Sequence, residues 1–397
     1  MGEGKEIKIG AIYPFTGSLA TVGEDIRQAI DLAVEIVNNR YDLPLPLART
    51  IGLPLLGNRK IKVIYGDSQG IPAIGREEAE RLIEQEKVVA LIGSYQSSVT
   101  LQASAIAEAK KVPFVTPEAS APSLTERDFQ YFFRTAPNDH LYTNLFFELF
   151  HFLRRYRGRD INNFAILTED SIFGLEAAAI EKSLIRRFSG ELVELEMYTP
   201  TVTSLLDELA RIRNSNAQVV FGQQFLSDAI QVVQDLKTLN WFPEGLVVQN
   251  AGYTIPDFLE AVGEDGNYII SRVAWALGLG RVKPIVTEVN ELYRSKYNED
   301  MNETNTRSFT GLLVLADAIN RAASINRDEI RRALRQTNIP GQRLIMPWQG
   351  VRFDSTGQNT LAGALLAQII NQEYKIIWPL SVAEAKIVWP APSWDER

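Results

Sequence analysis

The strongest constraint on the fold is a rhythm: from Ile7 onward, short apolar, β-branched runs alternate with longer amphipathic ones. A short run rich in Val and Ile reads as a buried strand, and the amphipathic run after it as a helix covering the sheet. Repeated, this pair specifies an α/β fold of parallel sheets flanked by helices. IKIGAIYPF (Ile7–Phe15), IKVIYGD (Ile61–Asp67), VVALIG (Val88–Gly93) and VPFVTPEAS (Val112–Ser120) are the first four strands. After the first, Ile26, Ala29, Ile30, Ala33 and Val37 fall at spacings of three and four, predicting a helix that begins near Gly23. Further helices are predicted through Glu77 to Glu86 and through Leu101 to Lys110.

The pattern restarts with NNFAILTEDSIFG (Asn162–Gly174), GELVELEMYT, NAQVVFGQQ (Asn216–Gln224) and EGLVVQNAGY (Glu244–Tyr253), each followed by a helical stretch such as Ser227–Leu239. A second half that repeats the first suggests two similar lobes, and 397 residues exceed one core at roughly 100 to 200 residues per domain. Tyr41–Arg59, rich in proline and leucine, reads as a surface excursion packed by its own leucines. After YIISRVAWA come two helices, EVNELYRSKYNED and GLLVLADAINRAA, and a β-like tail containing QEYKIIWPL.

In an open parallel sheet, ligands bind beyond the carboxyl ends of the strands. The third strand ends in GSYQSS, and a helix starts within a few residues. Ser97, Ser98 or Thr100 is therefore either a helix cap, worth about 1 kcal/mol, or part of an anion cradle at a helix N-terminus. The fourth strand ends in TPEASAP, where Thr116 and Ser120 bracket Glu118 and proline stiffens both sides. Its bland reading is a solvated β-to-α loop, but neighbouring strands bring both hydroxyl loops to one edge.

Signs of catalysis are thin. There is no cysteine, and the two histidines, His140 and His151, have no partner at ligand spacing, so no metal site is expected. Gly278–Arg281 (GLGR) lacks the third glycine of a dinucleotide fingerprint and reads as a turn, no GxxxxGK occurs, and GSYQSS is not a GxSxG elbow. Glu169 with Asp170 reads as a pair of solvated loop charges. With 41 basic against 49 acidic residues the net charge is −8, which argues against nucleic acid or an anionic membrane as partner. No apolar run approaches the roughly 18 residues that span a bilayer. The opening MGEGKEIKIG lacks the pattern of an export signal, as does an exported protein whose signal has been removed.

IGAIYPFTGSLATVGEDIRQAIDLAVEIVNN, then YGDSQGIPAIGREEAERLIEQEKVVALIGSYQSSVTLQASAIAEAKKVPFVTPEASAPSLT, resembles the periplasmic substrate-binding proteins of branched-chain amino acid ABC importers. The likeness extends through FFRTAPND, ILTEDSIFG and VVFGQQFLSDAIQ and weakens after about Ala276. It implies a type I periplasmic binding fold, two parallel-sheet lobes closing as a clamp and linked by three crossovers, near Pro137, Ser271 and Pro347. Lobe one would be residues 1–137 with 271–346, and lobe two 138–270 with 347–397. The resemblance implies no enzyme and no cofactor. It implies a periplasmic or extracellular monomer that carries a neutral or hydrophobic amino acid to a membrane permease. A sensor of the same fold taking an amide, urea-like or aromatic carboxylate ligand is the alternative.

Carried over by position, Ser97 gives hydroxyl and backbone N–H to the ligand carboxylate, Ser120 adds a hydroxyl, and the Glu118 carbonyl accepts from the ammonium. Val22, Tyr95, Ser98 and Ala119 are assigned to the same first-lobe site. Where the family has two tyrosines in the second lobe, this chain has Phe173 and Phe225, so apolar walls survive without phenolic hydroxyls. Where the family has an acid for the ammonium, this chain has Asn250 beside Ala251. A buried ammonium needs a counter-charge. Either the Glu118 side chain or Asp170 supplies it, or the ligand is not a standard α-amino acid.

Overall fold

The computed structural model describes residues 6–397, which divide into two compact units. One comprises the chain up to Pro137 together with Leu279–Gly363, the other Asn138–Gly278 with Ala364–Arg397.

In the first unit, β1 (Ile7–Tyr13), β2 (Ile61–Asp67), β3 (Ala90–Gly93), β4 (Phe114–Thr116) and β5 (Phe132–Arg134) form a sheet in the order β2-β1-β3-β4-β5. Every pairing is parallel, with Ile9 opposite both Val63 and Ala90. The crossover helices are α1 (Ala20–Asn38), α2 (Pro72–Glu84) and α3 (Ser97–Ala109). Helix α1 starts at Ala20, a turn before the expected Gly23, because Gly23 already donates its N–H to the Leu19 carbonyl at 3.0 Å inside the helix. The 41–59 excursion packs Leu43, Leu45 and Leu53 inward while Ile51 and Leu55 stay exposed.

The second unit opens with α4 (Asp139–Arg157) and continues as β6 (Asn163–Glu169), α5 (Ile172–Arg187), β7 (Glu191–Tyr198), α6 (Leu206–Asn214), β8 (Val219–Gln223), α7 (Leu226–Thr238), β9 (Gly245–Val248), α8 (Pro256–Val262) and β10 (Ile270–Val273). The chain then returns to the first unit with α9 (Pro284–Tyr297), α10 (Glu303–Ala322), α11 (Arg327–Arg335) and the short pair β11 (Ile339–Pro340) and β12 (Gly350–Val351). It closes on β13 (Leu365–Ile370) and β14 (Glu373–Trp378), which join the second sheet antiparallel at its edge, giving β14-β13-β10-β9-β8-β6-β7. An antiparallel hairpin needs no helix to link it, so the tail adds strands without the alternation seen upstream.

The chain passes between units after Pro137, Gly278 and Gly363, the latter two later than Ser271 and Pro347. Ser271 lies within β10, paired to Val248, so it belongs with the second sheet. Residues 350–351 pair with 339–340, and Gln358 bridges to Arg134, which holds 347–363 in the first unit.

Six phenylalanines fill one side of the second sheet, where Phe147, Phe150, Phe164 and Phe221 pack with Phe146 and Phe188 at ring separations of 5.4 to 6.1 Å. The His151 ring meets Phe188 at 4.7 Å, a packing role.

Candidate ligand-binding site

In the first unit, β3 stops at Gly93 and the chain turns directly into α3. Thr100 Oγ1 accepts the Ser94 N–H at 3.2 Å and lies 2.9 Å from the Gln96 carbonyl, to which it donates, so this hydroxyl fixes the turn. The N-cap position is Gln96, and no side chain caps the helix. The capping role weighed for Ser97, Ser98 and Thr100 is therefore not what these hydroxyls do. Ser97 is the first helical residue, buried, and its Oγ accepts the Ala121 N–H at 3.4 Å, tying the two hydroxyl loops together. Ser98 is half-buried and Tyr95 buried. The first turn of α3 thus offers N–H groups beside Ser97, which suits a carboxylate.

The neighbouring loop is held from behind by two buried arginines. Arg307 of α10 donates Nη1 to the Glu118 carbonyl at 3.1 Å and Nη2 to Glu303 at 3.0 Å. Arg134, at the end of β5, donates Nη1 to the Ala119 and Ala121 carbonyls at 3.3 and 2.6 Å, Nη2 to Thr125 at 2.9 Å and Nε to Gln358 at 2.7 Å. The Glu118 side chain turns into the unit's interior, accepting from the Tyr13 hydroxyl at 3.2 Å and from Ser308. Burial pushes its carboxyl up to about 7, against the opposing pull of Arg307, Ser308 and Tyr13. Helix α10 reaches this loop because Gly311 has no side chain; a Cβ there would stand 2.6 Å from Pro117 Cγ. Ser120 and Ala119 are buried in the same loop, and Val22 is buried on α1.

At the carboxyl end of the second sheet, β6 leads into Glu169, which is fully buried, and Asp170, which is exposed. The sequence reading of both as solvated charges fails for Glu169. Ser171 donates its hydroxyl to Glu169 Oε1 at 2.6 Å and caps α5 by accepting from Gly174 at 3.2 Å. Burial raises the Glu169 carboxyl to about 7 despite the bonds from Ser171 and the Phe225 backbone. Phe173 and Phe225 bring their rings to 5.7 Å of each other, Phe173 buried and Phe225 half-buried. The loop after β9 presses against the loop after β8 at Gly252, where a Cβ would lie 2.4 Å from the Phe225 carbonyl carbon. Asn250 in that loop is buried, at φ 46° and ψ −114°, a positive-φ conformation outside the left-handed helical well that glycine adopts more readily than asparagine.

Beneath these loops lies a buried polar layer that periodicity alone did not reveal. Arg272 of β10 pairs with Asp139 of α4 at 2.7 Å, both side chains almost fully buried, and its guanidinium stands 3.9 Å over the Tyr142 ring. Gln223 and Gln249 each donate Nε2 to Glu181 Oε1 at 2.7 Å, and Gln249 also reaches Thr143 at 3.0 Å. Burial and the nearby Asp139 push the Glu181 carboxyl up to about 8, with Gln249 and Arg272 opposing. A signal existed: Glu181 stands four residues from both Ala177 and Ile185, on the apolar face of α5, and Arg272 interrupts the apolar run YIISRVAWA.

The structure thus gathers Tyr95, Ser97, Ser98, Glu118, Ala119 and Ser120 at two adjoining loops of one unit, and Asp170, Phe173, Phe225 and Asn250 at three loops of the other. Among the described residues no cluster of three His, Cys, Asp or Glu side chains is arranged to hold a metal ion, and no helix is long and apolar enough to cross a membrane.

Comparison with known proteins agrees with this architecture. The chain is 25% identical over 393 residues to Leu/Ile/Val-binding protein homolog 7 of Brucella abortus, covering 97% of this chain and 94% of the relative. Its fold matches the branched-chain amino acid transporter substrate-binding protein LivJ of Streptococcus pneumoniae, solved with isoleucine, at TM-score 0.79 and 20% identity, over 94% of this chain and 100% of that one. A solute-binding protein of an ABC transporter from R. palustris, solved with benzoate, matches at TM-score 0.79 and 18% identity, over 94% and 96% of the two chains. The family model for periplasmic binding proteins matches residues 6–373. By that match and the type I fold it shares with these proteins, the chain belongs to the periplasmic binding protein family, a family of binding proteins rather than enzymes.

Proposed function

We propose that the chain is the solute-binding component of an ABC importer, working as a periplasmic or extracellular monomer that delivers a small carboxylate-bearing solute to a membrane permease. The observation that carries this is the pair of loops in the first unit. Ser97 opens an uncapped helix, Ser120 stands in the loop tied to it, and two guanidiniums engage the carbonyls of that second loop. Hydroxyls and first-turn N–H groups suit an incoming anion, and arginine donors hold three carbonyls of the second loop. In the second unit Phe173 and Phe225 form an apolar surface suited to a hydrocarbon side chain or ring.

Neutral or hydrophobic amino acids are the first reading, in keeping with the Leu/Ile/Val-binding relatives. Aromatic carboxylates are the second, favoured by the two phenylalanines and by Asn250 at the position where an acid was expected.

A thermal-shift panel of leucine, isoleucine, valine, benzoate, amides and simple amines tests the proposal. A true ligand at a hundred times its Kd stabilises the protein by about 2.7 kcal/mol. Ser97→Ala is expected to weaken that ligand by about 1.5–3 kcal/mol, roughly ten- to 150-fold, because a charged acceptor loses a donor. Stabilisation by amides or amines alone, or an unchanged affinity in Ser97→Ala, would remove the carboxylate site.

A further inference from the structure

Helix α4 carries two neighbouring apolar stripes, and the sheet covers one of them. Phe146, Phe147, Phe150 and Leu153 are buried in the core of the second unit. Leu149, Phe152 and Tyr156, spaced three and four apart, form the second stripe, which faces the last segment of the chain. That segment turns at Pro379 and comes back alongside β14, where the Glu384 N–H donates to the Ile376 carbonyl at 2.8 Å. The Phe152 ring stands 5.2 Å from that of Trp378 and 5.5 Å from that of Tyr156. Ala383 and Ala385 present only methyl groups to the space between. A cavity of about 270 Å³ remains, walled chiefly by Leu149, Phe152, Ile377, Trp378 and Ile387. Leu380 at its edge is 59% exposed and Tyr156 beside Phe152 is 66% exposed, so apolar surface is left without cover.

The mouth of this cavity is cationic. Arg157 and Lys386 line it, both exposed, and among the described residues neither makes an ion pair or a side-chain hydrogen bond. The one acid in the lining, Glu384, is turned to the backbone. Its Oε1 accepts the Ile376 N–H at 2.8 Å, and a Cβ on Gly278 would stand 2.3 Å from both carboxylate oxygens. Charges more than about 10 Å away are largely screened at 0.1 M salt, so the net −8 of the whole chain does not cancel this local sign. An apolar floor with two unpaired cations at its lip fits a hydrocarbon chain with an anionic head and works against a cationic one. Size narrows the class further. An apolar cavity of about 150 Å³ already holds benzene, and pockets for drug-sized ligands begin near 300 Å³, so this one suits a single short chain.

We infer that the second unit carries a second ligand site, for a free medium-chain anionic amphiphile such as an alkyl carboxylate or alkyl sulfate. None of its lining residues belongs to the loops after β6, β8 and β9, so the site stands whether or not those loops bind a solute.

Calorimetric titration of the whole chain with octyl sulfate, hexyl sulfate and octylamine tests it. Octyl sulfate is expected to bind one to one as a monomer, and at least fivefold more tightly than octylamine. Hexyl sulfate should bind about fifteenfold more weakly than octyl sulfate, since each buried methylene is worth roughly fourfold. Arg157→Glu and Lys386→Glu together, both at exposed positions, should weaken octyl sulfate at least fivefold, while Ser97→Ala leaves it unchanged. A factor below fivefold in any of these three comparisons overturns the inference. So does a loss of binding in Ser97→Ala, which would assign the amphiphile to the loops of the first unit. Sedimentation with phosphatidylglycerol vesicles, without saturable binding of octyl sulfate, would make this face a lipid contact and overturn it as well.

Discussion

Replacing Glu181 by glutamine tests whether the buried layer of the second unit holds a proton. Glu181 is fully buried; its Oε1 accepts from two glutamine amides at 2.7 Å, while its Oε2 and the amide oxygens of Gln223 and Gln249 have no hydrogen-bond partner. A proton on Oε2 removes the buried charge and adds a donor to a layer rich in unpartnered acceptors. Burial raises the carboxyl from its ordinary 4.5 to about 8, so between those values the folded chain holds a proton that the unfolded chain releases. Stability from this group is therefore fully present below about pH 4.5 and is lost as pH rises through about 8. At about 1.4 kcal/mol per pKa unit, the loss is on the order of 5 kcal/mol. The Glu181→Gln amide keeps the acceptor and adds a permanent donor, with nothing to ionise. Urea unfolding followed by tryptophan fluorescence reports chiefly on this unit, since Trp241, Trp275, Trp378, Trp389 and Trp394 all lie in it and only Trp348 lies in the other. The advantage of Glu181→Gln over the natural protein should be small at about pH 5 and grow to several kcal/mol at about pH 9. A difference that stays constant or shrinks with pH would refute the reasoning, because the ionisation of Glu181 would then carry no cost.

Two further outcomes follow from the same geometry. Asn250→Asp places an acid at the position where the resemblance expects one; leucine should gain on 4-methylpentanoate, which is leucine without its ammonium, by about 1–3 kcal/mol, a shift of roughly five- to 150-fold in their calorimetric Kd ratio. An unmoved ratio would take position 250 out of the ligand's reach. Asp139→Asn leaves the buried Arg272 guanidinium without the carboxylate 2.7 Å away and should cost about 3–5 kcal/mol in urea unfolding; a loss below about 1 kcal/mol would mean the pair contributes little.

What the chain reveals before folding is uneven for a physical reason. Strand and helix periodicity are local, so β1 to β4 and β6 to β9 were legible from short windows of sequence. So was the crowding of hydroxyls at the ends of β3 and β4. The partners of those hydroxyl loops were not. Arg307 lies 189 positions from the carbonyl it holds, on a helix whose polar first half, Glu303 to Ser308, is as buried as its apolar second half. That burial is possible because the polar residues are matched one by one: Asn302 and Asn305 with Asp25 at 2.6 Å, Arg307 with Glu303, and Ser308 with Glu118. A pattern of apolar spacing is blind to such a face. The later unit boundaries were missed likewise, because short pairings such as Ile339 with Val351 hold those segments by contacts that no local composition marks.

The manner in which the arginines act bears on how a carrier can both hold and release its load. A guanidinium bonded directly to a ligand carboxylate makes a charge-assisted, often bidentate pair, which suits tight retention. Here Arg134 and Arg307 spend donors on the carbonyls of residues 118, 119 and 121 instead. The ligand carboxylate of the proposal then meets hydroxyls and backbone N–H groups with the cations one layer back, each worth roughly 1.5–3 kcal/mol to an anion. A few such bonds plus an apolar surface fit micromolar binding, about −8 kcal/mol, which leaves the solute free to depart once it is delivered. The same arrangement keeps the loop rigid before the ligand arrives, since three of its carbonyls are fixed by side chains from β5 and α10 that do not depend on the solute. Binding therefore need not order that loop, and less of the interaction energy is lost to ordering.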